Sequence, residues 1–240
     1  RLDTLKKQNR NYLAHEYLNG EWVPFYSGDV HEEMSDQSKV NFIASMHLID
    51  HVDTINLTEE QVALLGEVSD GGTRETLRDF MVNQQFRRDL LARGTPGLTP
   101  PEAWRKWLDQ RFALVQSAAS IPRTLATGKG EATLVPEVYD PLLAALDGGP
   151  RTVRELLAGR EGDVVARGRI TQGLLVLVGA GHAGPALPRQ GEAERARRCN
   201  AFNEAVMARA ADSADVLFLA SPVLGGGVAV VLLADHTLLP

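Results

Sequence analysis

The chain has 240 residues, of which 44% are hydrophobic and 23% are charged; these proportions are typical of a globular protein and exclude disorder throughout. The longest unbroken apolar runs, residues 174–178 and 228–234, are far shorter than the roughly 18 to 20 residues that a membrane helix needs. The formal net charge is −6, so the surface as a whole has no positive field that would attract nucleic acid.

Cysteine usage and the first residues bear on the cellular location. Cys199 is the single cysteine, which excludes an internal disulfide and a zinc site built from several cysteines, so a reducing compartment, the cytoplasm, is predicted. The chain begins with Arg1 instead of methionine, and no apolar stretch follows the basic residues near this start, so no signal peptide is predicted. We therefore expect the chain to be a segment of a longer protein.

The first half alternates helices with short extended segments. Helical spacing predicts an opening helix that ends near Gly20 and a short helix before Ser38, and extended residues predict a strand within residues 40–48. Thr58 is followed three residues later by glutamine and Thr99 by glutamate. This spacing is that of a capping box and predicts that a helix begins after each threonine.

A further helix is predicted over residues 72–83, followed by a break near Asn83 and an extended segment over residues 86–92 that ends before Gly94. At 100° per residue, three apolar residues of this helix share one face: Leu77, Phe80 and Met81.

The second half begins with three predicted helices. The first covers residues 138–146, the second opens at a capping box at Thr152 and runs through Leu157, and the third covers residues 170–178. A Pro-rich loop reaches Pro188 behind them. Helix, turn, short helix, longer helix and a loop of wing length is the order of a winged helix-turn-helix.

These elements predict an α+β fold that is predominantly helical. A mixed N-terminal subdomain, residues 1–128, is followed by a winged-helix-like C-terminal subdomain, residues 129–240, because small flexible residues interrupt the apolar pattern around residue 128. After the winged helix we expect an amphipathic helix through residues 199–210 and a strand at 216–220.

Several motifs match the sequence patterns of catalytic or binding sites, but the residues around them do not fit such sites. Residues 179–184 fit G-x-G-x-x-G, but Pro185 and Pro188 follow, whereas a dinucleotide loop must open a helix. His47 and His51 are four residues apart in a stretch predicted to leave a strand, so they are not expected to bind metal. Three glycines from Gly225 are expected to form a turn. No catalytic, cofactor-binding or metal-binding residue is predicted.

The Phe-Arg-Arg-Asp stretch at residues 86–89 allows two interpretations. Alternation along an extended segment directs one arginine inward, where it needs a carboxylate such as Asp79. The pair is then either a structural ion pair or an anchor for a partner surface. Aromatic and arginine residues are the usual anchors of protein interfaces, and the candidates are Trp22, Phe25, Tyr26, Phe86, Arg87 and Arg88.

Both the aromatic clusters and this stretch carry a family resemblance. Residues 12–18, 22–26, 78–80 and 86–90 resemble the methyltransferase regulatory domain family, whose members follow the class I S-adenosylmethionine-dependent methyltransferase domain of bacterial proteins, some similar to protein-lysine methyltransferases. The resemblance implies a non-catalytic region that regulates an active site elsewhere or docks substrate to it. It implies an upstream methyltransferase domain as partner, S-adenosylmethionine bound in that domain and not here, and a protein as possible substrate.

The alternative function is a winged-helix transcriptional regulator or another DNA-binding or protein-interaction module. Residues 137–180 contain five basic and six acidic side chains, a balance that does not favour contact with phosphates. No nucleic-acid partner is therefore expected, and the oligomeric state is left open.

Overall fold

The computed structural model describes residues 9–18, 20–21, 23–94, 97–127, 130–210 and 218–229. Its internal contacts divide the chain into two compact units. Unit 1 consists of Arg1–Ala44 and Ala63–Gly94, and unit 2 consists of Ser45–Val62 and Thr95–Pro240.

Helices and short strands alternate along the described residues, which confirms the predominantly helical α+β class. In chain order the helices are α1 (Arg10–Tyr17), α2 (Ser27–Ser38), α3 (Asp53–Asn56), α4 (Glu59–Glu67), α5 (Gly71–Val82), α6 (Pro100–Leu108), α7 (Pro136–Asp147), α8 (Val153–Leu157), α9 (Val164–Gly179) and α10 (Glu192–Ala210). The strands are β1 (Asn41–Ser45), β2 (Asp89–Ala92), β3 (Arg111–Leu114), β4 (Thr124–Thr127), β5 (Gly130–Thr133), β6 (Arg151–Thr152), β7 (Ala183–Ala186), β8 (Phe218–Ala220) and β9 (Gly227–Ala229).

The domain boundary predicted at residue 128 lies inside unit 2. Thr127 pairs with Gly130 across the antiparallel β4–β5 hairpin, and the division by contacts falls earlier in the chain, after Gly94. Small residues suit a hairpin turn as well as a linker, and for this reason the composition pointed to that position.

In unit 1, helices α2 and α5 approach closely at two glycines. A Cβ atom on Gly28 would lie 2.8 Å from Thr76 Oγ1 and 3.3 Å from the carbonyl oxygen of Gly72. The same Thr76 hydroxyl accepts a hydrogen bond from the Gly28 N–H at 3.2 Å. The two helix backbones can come this close only because Gly28 carries no side chain.

Helix α5 has well-defined ends. Asp70 caps its start by accepting a hydrogen bond from the Thr73 N–H at 2.7 Å, and Asn83 ends it with a left-handed φ of 54°, which confirms the predicted break. The helix carries Leu77, Phe80 and Met81 as predicted, but Phe80 is not buried. Its ring is 64% exposed because it lies beside the contact with α2, against Tyr26.

Unit 2 is built around a three-stranded antiparallel sheet in the order β6-β3-β7. The core beside it is aliphatic, and its most deeply buried side chains include Leu142, Leu143, Leu146, Val153, Leu157, Leu174, Val176 and Leu177. Helices α7 and α9 pack closely at Gly173, where a Cβ atom would lie 2.9 Å from Leu142 Cδ2.

The capping boxes predicted from sequence are confirmed. Before α4, the Thr58 N–H donates to the Gln61 side chain at 2.9 Å; before α6, the Thr99 N–H donates to the Glu102 carboxylate, also at 2.9 Å. The third box, at Thr152, opens α8. Helices α4, α6 and α8 begin directly after these threonines.

The winged-helix prediction is not confirmed. Helices α7, α8 and α9 follow one another as predicted, but α9 already begins at Val164, capped by Asp163. The loop predicted as a wing contains strand β7, which pairs with β3. The central strand of this sheet, β3, therefore precedes the three helices in the chain. Its pairing with β7 joins distant residues, so the local sequence pattern did not reveal it.

The last described elements form a second hairpin beside α10. Asn203 of α10 bonds Ala220 of β8 in both directions, its amide donating to the carbonyl at 2.9 Å and its oxygen accepting from the N–H at 2.8 Å. The predicted glycine turn is confirmed, with Gly225 at a φ of +72°. Residues 216–217 of the predicted strand lie outside the described residues. Among the described helices, none has both the length and the apolar character needed to cross a membrane.

Candidate functional site

The Phe-Arg-Arg-Asp stretch directs its first arginine into unit 1. The guanidinium of Arg87 donates to Asp89 Oδ2 at 3.0 Å, to Glu75 Oε2 at 2.9 Å and to Asp79 Oδ1 at 2.5 Å, and its side chain is only 17% exposed. The predicted pairing of an inward arginine with Asp79 is confirmed. Burial alone would lower the pKa of Arg87, but the hydrogen bonds to its three carboxylate partners outweigh burial and raise it.

A buried histidine extends this network. His31 of α2 is 9% exposed, and its Nε2 lies 2.8 Å from Asp89 Oδ2. Its ring stacks on Phe42 of β1 with centroids 4.2 Å apart. The partner carboxylate is 58 residues away from His31 in sequence, so this pairing joins distant segments of unit 1.

A signal for His31 does exist in the sequence. Ser27 precedes it by four residues and therefore lies on the same face of α2. The Ser27 hydroxyl donates to Asp79 Oδ2 at 2.7 Å, so both side chains reach the carboxylates that hold Arg87. A polar pair at helical spacing opposite a charged motif could have indicated a shared network.

The network ties elements of unit 1 together, and its aspartates are engaged by protein donors. Asp79 and Asp89 both accept from Arg87, and each accepts from a side chain of α2 as well. Their oxygens are thus engaged by protein donors that join α2, α5 and β2. Buried charges in such an arrangement are stable because each has a hydrogen-bonded partner of opposite sign or a polar one.

Other residues of the predicted contact set are exposed. Phe25 is 72% exposed, Tyr26 is 58% exposed and Phe86 is 68% exposed, and Arg88 is also exposed. Trp22 lies outside the described residues. Among the described members of the set, Arg87 alone is drawn into the network, so the structure separates the two arginines that the sequence left equivalent.

Phe80, which was not part of the predicted contact set, joins the exposed aromatic residues. Its ring lies 5.7 Å from that of Tyr26 at an interplanar angle of 46°. We call Tyr26 and Phe80 the aromatic pair. Two aromatic rings that contact each other and are each more than half exposed are unusual on a surface that contacts only solvent.

A cleft of about 830 Å³ lies beside the aromatic pair. Helix α2, the start of β1 and the first turns of α5 form its walls, and Tyr26 is one of its lining residues. Its carboxylates come from Asp29, Glu32 and Asp70, and no described residue that lines it is a lysine or an arginine. We call this cleft, with these carboxylates, the acidic cleft. Hydrogen bonds from the backbone and the hydroxyl of Thr73 lower the pKa of Asp70.

The G-x-G-x-x-G stretch of unit 2 has a structural explanation. A Cβ atom on Gly179 would lie 2.6 Å from Ile49 Cγ1. Gly181 has a φ of +77°, and a Cβ atom on Gly184 would lie 3.2 Å from Leu224 Cδ2. Strand β7 follows the loop where a dinucleotide site would require a helix, so this motif offers no phosphate site.

His47, His51 and Arg167 also have partners within unit 2. His47 Nδ1 lies 2.9 Å from Asp50 Oδ1, and His51 Nε2 lies 2.9 Å from the Ser45 carbonyl oxygen. No group of three or more metal-ligating residues occurs among the described residues. Arg167 of α9 stacks over the Trp104 ring at 3.9 Å.

Comparison with known proteins places this geometry in a family. Residues 9–93, which span most of unit 1, match a family described as a predicted methyltransferase regulatory domain. An uncharacterized protein of Synechocystis sp. is 40% identical over 230 residues, which are 96% of this chain and 45% of that protein. The chain therefore spans about half the length of this relative.

Among solved structures, PKMT2 from Rickettsia typhi is similar at a TM-score of 0.49 and 14% identity, over 76% of this chain and 40% of that chain. Its complex with AdoHcy gives a TM-score of 0.47 and 14% identity, over 76% and 39% of the two chains. The predicted resemblance is confirmed: residues 9–93, which include the inward Arg87 and the paired His31, match the methyltransferase regulatory domain family.

Proposed function

We propose that this chain is the non-catalytic regulatory region of an S-adenosylmethionine-dependent methyltransferase and that unit 1 docks a protein, the methyl-accepting substrate, onto the enzyme. The observation that carries the proposal is the aromatic pair, which leaves Tyr26 and Phe80 more than half exposed in a domain of this family. In this proposal the catalytic domain is linked to the chain and binds S-adenosylmethionine, and the whole protein works in the cytoplasm.

Energetics favour a contact role for the exposed rings. Full burial of an aromatic side chain contributes roughly 1.5 to 3 kcal/mol, and the aromatic pair contributes only part of this to folding because both rings remain largely exposed. Aromatic side chains are the commonest interface anchors. The charge network beneath them makes their support rigid, since Ser27, the residue after Tyr26, is tied to Asp79.

The test is a pair of substitutions in the full-length protein, Tyr26→Ala together with Phe80→Ala. We expect methylation of a protein substrate to fall about tenfold or more, as loss of two anchors of roughly 1 kcal/mol each implies, while the melting temperature changes by no more than a few degrees. The measurement is transfer of a labelled methyl group at substrate concentrations below saturation.

The matched control is Phe202→Ala, which removes an exposed aromatic ring from α10 of unit 2. It should leave methylation unchanged. A large drop in melting temperature in the double variant would show that the rings hold the fold, and equal loss of methylation in the control would show that any exposed ring matters. Either result removes the docking role from unit 1.

A further inference from the structure

The acidic cleft and the aromatic pair meet at one residue. Tyr26 lines the cleft and its ring contacts Phe80. The surface of unit 1 thus places aromatic rings directly beside a concave region whose charged lining is anionic. A cleft of about 830 Å³ is within the size range of sites that hold ligands of several residues or rings.

Folding does not account for all of the negative charge in the cleft. Asp70 caps α5, and Asp29 lies in the first turn of α2, where the helix dipole favours a carboxylate. Glu32 is three residues further along α2 than Asp29, so the two like charges are neighbours on the helix surface and repel each other. Among the described residues, neither has an ion-pair partner.

His31 and Arg87, the two basic groups of the network, are already engaged. His31 lines the cleft but is bonded to Asp89. Arg87 lies over the Phe42 ring, 5.7 Å from its centroid, and is bonded to its three carboxylates. The charge of Asp29 and Glu32 is therefore available to a cation from outside the unit. An anionic partner, such as a phosphate group, would meet three carboxylates.

We propose that the acidic cleft and the aromatic pair together bind a basic protein segment, with a lysine or arginine head group at Asp29 and Glu32. The aliphatic stem of the bound side chain lies along the ring of Tyr26, where a cation also gains from the aromatic face. This inference rests on the proposed docking role of unit 1 and specifies the chemistry of the partner.

The experiment measures binding of labelled peptides to the full-length protein by fluorescence anisotropy. One peptide alternates lysine with alanine, the second carries acetylated lysines in the same places, and the third carries glutamates. We expect the lysine peptide to bind and the other two to bind at least about tenfold more weakly, with an affinity that falls as salt rises because the pairs are exposed.

Substitutions locate the binding. The double variant Asp29→Asn and Glu32→Gln should weaken the lysine peptide about three- to tenfold, the effect of losing two partly exposed ion pairs. The matched control is Glu33→Gln with Asp36→Asn, the same change of charge on the same helix but outside the cleft lining, and it should bind as the wild type does. Tyr26→Phe should keep the affinity and Tyr26→Ala should reduce it.

Equal binding of lysine and acetyl-lysine peptides, or equal weakening in the two double variants, would overturn the inference. The outcome is separable from that of the docking proposal. If the aromatic variants lose methylation but the cleft variants bind peptide normally, docking stands and the cationic partner is wrong. If peptide binding behaves as expected while methylation ignores the aromatic pair, the cleft binds a basic segment that is not the methyl-accepting substrate.

Discussion

Arg87 joins segments of unit 1 that are distant in sequence. It bonds Glu75 and Asp79 of α5 and Asp89 of β2, and the aspartates in turn hold side chains of α2. Its neighbour Arg88 is exposed, so two adjacent and identical residues have different tasks. The central arginine is required because removing it leaves the largely buried carboxylates of Asp79 and Asp89 without their guanidinium partner.

We expect Arg87→Met to lower the free energy of unfolding by about 2 to 4 kcal/mol, since breaking a buried ion pair leaves uncompensated charge. Arg88→Met, at the exposed position, should change it by no more than about 0.5 kcal/mol. Urea unfolding followed by circular dichroism compares the two. Similar losses in both variants would mean that the network around Arg87 contributes no more than a surface arginine does.

At the scale of elements, helices begin where local chemistry dictates. The Thr152 N–H donates to Glu155 Oε2 at 2.8 Å, and the Glu155 N–H donates to the Thr152 hydroxyl at 3.1 Å. Both bonds join residues that are only three apart, so the local sequence is sufficient to specify them. They fix the start of α8, which delivers Leu157 to the core of unit 2.

This capping box should make stability depend on pH. The backbone hydrogen bond from Thr152 lowers the pKa of Glu155 below its ordinary value of 4.5. A carboxylate with a lowered folded-state pKa stabilises the protein above the ordinary pKa, and this contribution is lost as the pH falls through the folded-state pKa. The melting temperature of wild type should therefore exceed that of Glu155→Gln at pH 7, and the difference should disappear in acid. A difference that persists unchanged at low pH would contradict the ionic contribution.

At the scale of the whole molecule, the proposal assigns cofactor binding to a linked domain. We expect calorimetric titration of the 240-residue chain with S-adenosylmethionine to give no binding heat, because the G-x-G-x-x-G stretch opens a strand. In the same preparation, duplex DNA at about 100 mM salt should not be retarded in a gel, since residues 137–180 contain five basic and six acidic side chains and so do not favour contact with phosphates. Micromolar binding of the cofactor would show that this chain itself contains a cofactor site. Retardation that weakens steeply with salt would show that the chain binds DNA.

The sequence by itself determined the features that depend on neighbours within a helical turn. The capping boxes at Thr58, Thr99 and Thr152, the break at Asn83 and the inward direction of one arginine near Asp79 were all predicted, because caps, turns and alternation are set by local hydrogen bonds and backbone geometry. The family resemblance rests on other short motifs, at residues 12–18, 22–26, 78–80 and 86–90, and is confirmed for residues 9–93.

Only the tertiary structure decided the features that depend on distant partners. The burial of His31 requires Asp89, the place of β7 requires β3, and the exposure of Phe80 follows from how little of α5 is covered by α2. The division into units likewise assigns Ser45–Val62 to unit 2, between two segments of unit 1. Hydrophobic periodicity and charge spacing indicate which residues can be buried or paired. Which distant residues become their partners is decided only when the chain folds and brings remote segments together.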